Sequence, residues 1–98
     1  MEKILVFAGT IEGRKIAEFL NDNGISACVC VATEYGESLL PKGEHLHISH
    51  ERLTEEEMEA LIDREGFTLV VDATHPYAAV VTENIKAACS AKKVTYLR

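Results

Sequence analysis

The feature that most constrains the fold is a buried strand that runs directly into a glycine turn and a helix near the N-terminus. Residues 4–8 form an apolar run, and Gly9 closes it in a tight turn. Four residues then recur at the spacing of one helix face, namely Gly13, Ile16, Ala17 and Leu20. This face would pack on a sheet, with Gly13 at the closest approach of helix and strand because it lacks a Cβ. A strand that feeds a helix in this way is the first unit of nucleotide-binding α/β folds.

Four further strands are predicted along the chain, at residues 26–32, 45–48, 68–72 and 94–97. The strand at 26–32 has no polar alternation, which is typical of a strand covered on both faces of a parallel sheet. Helical segments separate these strands, an alternation that favours parallel pairing and right-handed crossovers. We therefore predict the α/β class. Residues 1–98 would form one Rossmann-like domain, a parallel sheet of about five strands in the order 3-2-1-4-5 with helices on both faces.

Local patterns also predict where two of the helical segments begin and end. Thr54 and Glu57 have the spacing of a capping box, which predicts the start of a helix, and Gly66 is suited to its end. Residues 37–40 are expected to form a short helical turn before Pro41.

The predicted strand order places the carboxyl ends of the first and fourth strands side by side, where ligands bind in such sheets. Gly9–Arg14 and Asp72–Tyr77 would then face one crevice. A helix N-terminus favours an anion, because its first N–H groups are unpaired and its dipole is positive there. Thr10 could donate its hydroxyl to a phosphate. Arg14 is unfavourable for its own helix so near the N-terminus, which indicates an anionic partner.

Two segments of this crevice leave alternatives open. Gly9 and Gly13 do not form the Gly-x-Gly-x-x-Gly fingerprint, so the glycines alone fit a phosphate turn or a purely structural turn. After the second strand, Glu34 lies where a carboxylate could accept a ribose 2′-OH, which would favour NAD. Thr33 could instead hydrogen-bond a 2′-phosphate, and Glu34 could simply be solvated.

Residues 72–77 (DATHPY) are unusually polar for the end of a buried strand. Pro76 is suited to the first position of the last helix, with Thr74 or His75 as its N-cap. The same side chains could contact a ligand, since a capping residue can also face the crevice. His75 is a candidate proton donor or hydrogen-bond partner there.

Composition argues against several classes of function. A formal net charge of −6 argues against a general surface for nucleic acid or anionic membranes, and no apolar run reaches the length of a membrane span. The N-terminus lacks a signal-peptide pattern, and the three cysteines lie in apolar segments, so we expect a cytoplasmic protein with reduced thiols. His45 and His47 share a strand face, but no acidic or cysteine ligand has matching spacing, so we expect no metal site.

Four segments resemble, in the same order, those of the precorrin-6A and cobalt-precorrin-6A reductase family. They are ILVFAGTIEGR at 4–14, ATEYG at 32–36, DATHPYA at 72–78 and YLR at 96–98. Together they span nearly the whole chain, and the first and third are more specific than a lone glycine motif.

The resemblance implies an NADPH-dependent enzyme of cobalamin biosynthesis that reduces a double bond of a tetrapyrrole, precorrin-6A or its cobalt form. It implies two Rossmann-like domains with cofactor and tetrapyrrole in the cleft between them. The residues it implies at the cofactor phosphates are Gly9, Thr10, Gly13 and Arg14. Those implied near the adenosine end are Thr33, Tyr35 and Gly36. Those implied to line the substrate cleft are Thr74, His75, Pro76 and Tyr77, and no catalytic residue is assigned.

The sequence departs from the family pattern in two ways. Ala8 stands where the family usually has glycine, and family members are much longer than 98 residues. We therefore expect this chain to supply the N-terminal, cofactor-binding half of a two-domain enzyme and to be inactive alone. The alternative is a non-catalytic module that binds a nucleotide or a partner subunit.

Overall fold

Five parallel strands form a single sheet in the order β3-β2-β1-β4-β5. The computed structural model describes residues 3–50 and 52–98, so residues 1, 2 and 51 of the predicted domain lie outside it. The strands are β1 (Ile4–Phe7), β2 (Ala27–Cys30), β3 (Leu46–Ser49), β4 (Leu69–Asp72) and β5 (Thr95–Leu97). The predicted fold class and strand order are confirmed, and the strand bounds differ from those predicted by at most two residues at either end.

Helices cover both faces of this sheet, as predicted. They are α1 (Ile11–Asp22), α2 (Glu34–Ser38), α3 (Glu55–Glu65) and α4 (Ala79–Lys92). Ala17 and Leu20 of α1 belong to the core on one face, whereas buried residues of α3 and α4 belong to the core on the other. Burial of these apolar side chains, at roughly 25 cal/mol for each Å² removed from water, is the main force that holds the helices to the sheet.

The ends of α3 follow the predicted pattern. The Thr54 hydroxyl accepts a hydrogen bond from Glu57 N, and the Glu57 carboxylate accepts one from Thr54 N. Gly66 ends the helix in the left-handed conformation, with φ of 69°. The capping box and the glycine stop are therefore confirmed.

Two helix starts differ from prediction. α2 begins at Glu34 rather than near residue 37, since the Thr33 hydroxyl caps it by accepting from Gly36 N. The prediction that Pro76 opens the last helix, capped by Thr74 or His75, is wrong. α4 begins at Ala79, and its N-cap makes no side-chain hydrogen bond.

Residues 73–78 instead form a turn of their own. The Thr74 hydroxyl donates to Asp72, and His75 Nδ1 accepts a hydrogen bond from Tyr77 N. Ala78 N then donates to the carbonyl oxygen of His75. The His75 bond is the one that an N-cap at that residue would make, but this turn closes at Ala78 instead of continuing into α4.

The Asp72 carboxylate, at the end of β4, is the centre of a buried polar network. The residue is 2% exposed. One oxygen accepts from the backbone N–H and the hydroxyl of Thr74. The other accepts from the hydroxyls of Thr82 and Tyr96, and Arg98 Nη1 lies 2.8 Å from it. The network therefore joins the 73–78 turn, α4 and the end of β5 through one side chain.

This network shifts the pKa values of two of its members. Burial raises the pKa of Asp72, but the hydrogen bonds from Thr74, Tyr96 and Thr82 outweigh it, and the net pKa lies below the ordinary value. Burial and the hydrogen bond to Asp72 raise the pKa of Tyr96 to about 12. Asp72 is therefore an ionised acceptor and Tyr96 a neutral donor at physiological pH.

Replacing Tyr96 by Phe should remove one tyrosine ionisation with a midpoint near pH 12. The chain has three tyrosines and no tryptophan, so the difference in tyrosinate absorbance between wild type and Tyr96→Phe isolates this group. Its native pKa lies above the ordinary value of about 10, so its stabilising contribution is full below that pH and is lost as pH rises through about 12. A difference curve centred near the ordinary value would contradict the network.

Replacing Asp72 by Asn should destabilise the chain by on the order of 3 kcal/mol at neutral pH, because the buried amide nitrogen cannot accept the hydrogen bonds that Thr82 and Tyr96 donate to one carboxylate oxygen. Since the native pKa of Asp72 is lowered, this contribution is present above its ordinary value of about 4 and is lost as pH falls below it. Urea denaturation at neutral and acidic pH measures both effects.

The matched control is Asp63→Asn, which removes the exposed ion pair with Lys92. Exposed pairs contribute little, so this change should leave the free energy of unfolding nearly unaltered. Equal effects of Asp63→Asn and Asp72→Asn, or a wild-type advantage over Asp72→Asn that persists unchanged at acidic pH, would contradict the assignment.

Candidate functional site

A cleft of about 1030 Å³ opens at the carboxyl ends of β1, β2 and β4. Three loop segments line it, each following one of these strands. The residues that the sequence analysis placed in a site and that line the cleft are Gly9, Thr10, Arg14, Thr33, Tyr35, Gly36, Thr74, His75 and Pro76. A second cavity of about 710 Å³ between α3 and the β2–β3 strands contains none of the predicted site residues.

The two glycines of the first loop have different structural tasks. Gly9 has φ of +150°, and a Cβ there would meet nothing within 4 Å, because its open side faces the cleft. Gly13 faces the sheet instead. A Cβ on it would lie 2.9 Å from Ala8 Cβ, so only glycine allows α1 to pack this closely on the end of β1. Gly9 therefore leaves space in the cleft, whereas Gly13 shapes the cleft without lining it.

Thr10 joins the first loop to the end of β4. Its hydroxyl accepts a hydrogen bond from Gly13 N and donates one to the carbonyl oxygen of Ala73, at 2.7 Å. A hydroxyl has one proton, so donation to a phosphate would require it to leave Ala73. Among the described residues, the backbone N–H groups of Ile11 and Glu12 have no acceptor, and these are the donors that this turn offers to an anion.

Two guanidinium groups line the cleft, and their surroundings differ. The Arg98 guanidinium is paired with the Asp72 carboxylate and also donates to Thr82. No side chain within residues 3–50 and 52–98 forms an ion pair or a hydrogen bond with Arg14, which is half-buried in the first turn of α1. Among the described residues, the Arg14 guanidinium is therefore a positive charge of the cleft that forms no ion pair with a carboxylate.

The segment after β2 supplies the outer wall of the cleft. Thr33 and Gly36 line the cleft and are held by the hydrogen bond that caps α2. The Tyr35 ring also lines it and is 73% exposed, so a flat face is available to a ligand. Glu34 belongs to the same turn but does not line the cleft. The carboxylate that could have accepted a ribose hydroxyl thus lies outside.

The turn after β4 supplies the opposite wall. Thr74, His75 and Pro76 line the cleft, whereas Tyr77 is 88% exposed and does not. The His75 and Tyr77 rings lie 4.9 Å apart between centroids. Because His75 Nδ1 accepts from Tyr77 N, the neutral ring carries its proton on Nε2. His75 is therefore an exposed donor at the rim.

Sequence reasoning missed the part played by β5. Leu97 and Arg98 line the cleft, and the Tyr96 hydroxyl donates to Asp72, whereas the sequence pattern predicted this strand only as part of the sheet and residues 96–98 entered only through the family resemblance. The available signal was Arg98, a basic residue directly after the predicted strand at 94–97. In the predicted strand order this strand neighbours the one that ends at Asp72. The partner of Arg98, Asp72, was expected to face the crevice with the rest of residues 72–77, and this pairing was not predicted.

Other candidate sites have no counterpart in the part of the chain that the structure describes. Among the described residues, no group of three or more His, Cys, Asp or Glu side chains is placed to hold a metal ion. His50 instead contacts the Glu37 carboxylate at 2.6 Å. In the same residues, no helix is both long enough and apolar enough to cross a membrane.

The family resemblance is borne out by comparison with known proteins. The sequence profile of the family described as precorrin-6x reductase CbiJ/CobK matches residues 3–98. The cobalt-precorrin-6A reductase of Synechocystis sp. is 30% identical over 95 residues, covering 97% of this chain and 36% of the relative. The precorrin-6A reductase of Rhodobacter capsulatus is 34% identical over 93 residues, covering 92% of this chain and 35% of that protein.

Solved structures agree with these sequence matches. A structure of CobK precorrin-6A reductase superposes with a TM-score of 0.84 at 32% identity, covering 98% of this chain and 38% of that one. The Bordetella bronchiseptica enzyme WbmH, solved in complex with NAD+, superposes with a TM-score of 0.78 at 21% identity, covering 96% of this chain and 36% of that one, which shows the fold alone. This chain therefore spans little more than a third of the relatives it matches, and it belongs to the precorrin-6x reductase family.

Proposed function

We propose that this chain is the N-terminal, cofactor-binding half of an NADPH-dependent reductase that acts on precorrin-6A or its cobalt form. Membership of the family is the observation that supports a reductase reaction. The cleft beside Gly9 supports the binding of a cofactor by this chain. Oxidoreductase chemistry in cobalamin biosynthesis follows from the family, whereas the choice of NADPH and the division of labour between two halves are our inferences.

The residues around the first loop fit a nicotinamide dinucleotide. Space above Gly9 and the N–H groups of Ile11 and Glu12 suit the negatively charged pyrophosphate. The Tyr35 face and Thr33 suit the adenosine end, because the adenosine ribose lies beside the end of the second strand in such sheets. The nicotinamide half of the cofactor would then extend towards the 74–76 wall, the side of the cleft that Thr74, His75 and Pro76 form.

When bound, the cofactor supplies a hydride, and the chain's own task is to bind and orient it. The 74–76 wall would meet the macrocycle, with His75 at the rim as a hydrogen-bond donor. We assign no catalytic acid or base, because the buried carboxylate of the described cleft, Asp72, is held by structural hydrogen bonds from Thr74, Thr82 and Tyr96. Holding two reactants in a fixed orientation is itself a large part of catalysis.

A second, C-terminal domain would complete the site. The family relatives are nearly three times as long as the segment they share with this chain. We infer that tetrapyrrole binding needs both domains and that this chain alone binds cofactor but turns over poorly. We also infer a cytoplasmic location, which the three free cysteines support.

Replacing Gly9 by Ala should weaken NADPH binding by about tenfold or more, or ~1.4 kcal/mol, because the new Cβ would occupy the space proposed for the pyrophosphate. Titration of the chain with NADPH, followed by cofactor fluorescence or calorimetry, measures this. Gly66→Ala is the matched control, since Gly66 also has positive φ and open space but lies far from the cleft.

Both substitutions should cost about 1 kcal/mol or more of stability through backbone strain. Only Gly9→Ala should change the affinity for NADPH. Failure of the folded wild-type chain to bind any nicotinamide dinucleotide would contradict the cofactor role, and equal affinity losses in the two variants would show that strain, not the cleft, is responsible.

A further inference from the structure

Arg14 is the cation of the cleft that forms no ion pair among the described residues, and its position indicates which part of the cofactor it meets. This inference rests on the proposed function and extends it to cofactor selection. The other guanidinium in the cleft, that of Arg98, is neutralised by Asp72 at 2.8 Å. Arg14 makes no comparable contact within residues 3–50 and 52–98.

The helix geometry sets the direction in which Arg14 extends. Gly13 faces the sheet, and each following residue of an α-helix is rotated by about 100°, so Arg14 leaves α1 from its flank. In a right-handed β1–α1–β2 crossover this is the flank nearer β2. Glu12, two positions earlier, also lines the cleft but leaves α1 from the opposite flank, farther from β2. Arg14 and Thr33 accordingly line the same cleft from two elements.

The charge at this end of the cleft suits a phosphate better than a neutral hydroxyl. A carboxylate that accepts the ribose 2′-OH would favour the unphosphorylated cofactor, and Glu34 is the acid at that sequence position. Glu34 does not line the cleft. The Thr33 hydroxyl does, and among the described residues it accepts from Gly36 N without donating, so its proton is available.

We propose that Arg14 binds the 2′-phosphate of NADPH, with the Thr33 hydroxyl as a second donor, and that this pair selects NADPH over NADH. A guanidinium can donate two parallel hydrogen bonds to a phosphate, which a 2′-hydroxyl cannot accept in the same way. The pyrophosphate is left to the backbone N–H groups of the first loop.

The test compares Arg14→Ala with Lys15→Ala, using separate titrations of each variant and the wild type with NADPH, NADH and 2′,5′-ADP. Lys15 is the neighbouring exposed residue of α1 and does not line the cleft, so Lys15→Ala makes the same change in charge. Arg14→Ala should weaken NADPH and 2′,5′-ADP by about 10- to 100-fold and leave NADH within about twofold. Lys15→Ala should leave all three affinities within about twofold.

Two results would overturn the proposal, and they are distinguishable. If Arg14→Ala weakens NADPH and NADH equally, or weakens neither, Arg14 does not read the 2′-phosphate, although the cofactor role of the cleft stands. If the folded wild-type chain binds none of the three probes, both this inference and the proposed function fail.

Discussion

The buried carboxylate of Asp72 is the group on which the shape of the cleft depends. An ionised side chain removed from water costs several kcal/mol unless hydrogen bonds and an opposite charge replace its hydration. Asp72 receives five donors from the 73–78 turn, α4 and the end of β5. The requirement to satisfy this charge fixes three chain segments relative to one another, so the wall of the cleft is set before any ligand arrives.

The opposite wall of the cleft, formed by the loop after β1, is bonded to the same end of β4. Ala73, directly after Asp72, donates its N–H to Phe7 and accepts the Thr10 hydroxyl proton. Thr10 also caps α1, and the close packing of Gly13 on Ala8 fixes that helix against β1. Both walls are therefore joined by backbone and hydroxyl bonds at the carboxyl edge of the sheet. Such preorganisation lowers the entropic cost of ordering a site around its ligand.

The parts predicted well from sequence are those that local chemistry determines. The apolar run at 4–8, the spacing from Gly13 to Leu20 and the capping box at Thr54 each have one physical interpretation, and the fold follows from their alternation. The first turn of the last helix was predicted wrongly. The Thr74 hydroxyl donates to Asp72, and the turn that His75 Nδ1 caps closes at Ala78 instead of continuing into α4. The bond from Thr74 depends on Asp72, Thr82 and Tyr96 meeting in space, which spacing along the chain does not encode. The role of Arg98 was missed for the same reason, whereas the convergence of the first and fourth strand ends followed from topology alone.

We propose that one dinucleotide binds in the cleft between these two walls. Amide chemical-shift mapping of the isotope-labelled chain during titration with NADPH tests it most directly. We expect saturable shifts in three segments, 9–14, 33–36 and 73–77, with little change in α3 or around the second cavity, which lies between α3 and the β2–β3 strands. Shifts concentrated around that second cavity, or none in the 9–14 segment at saturation, would contradict it.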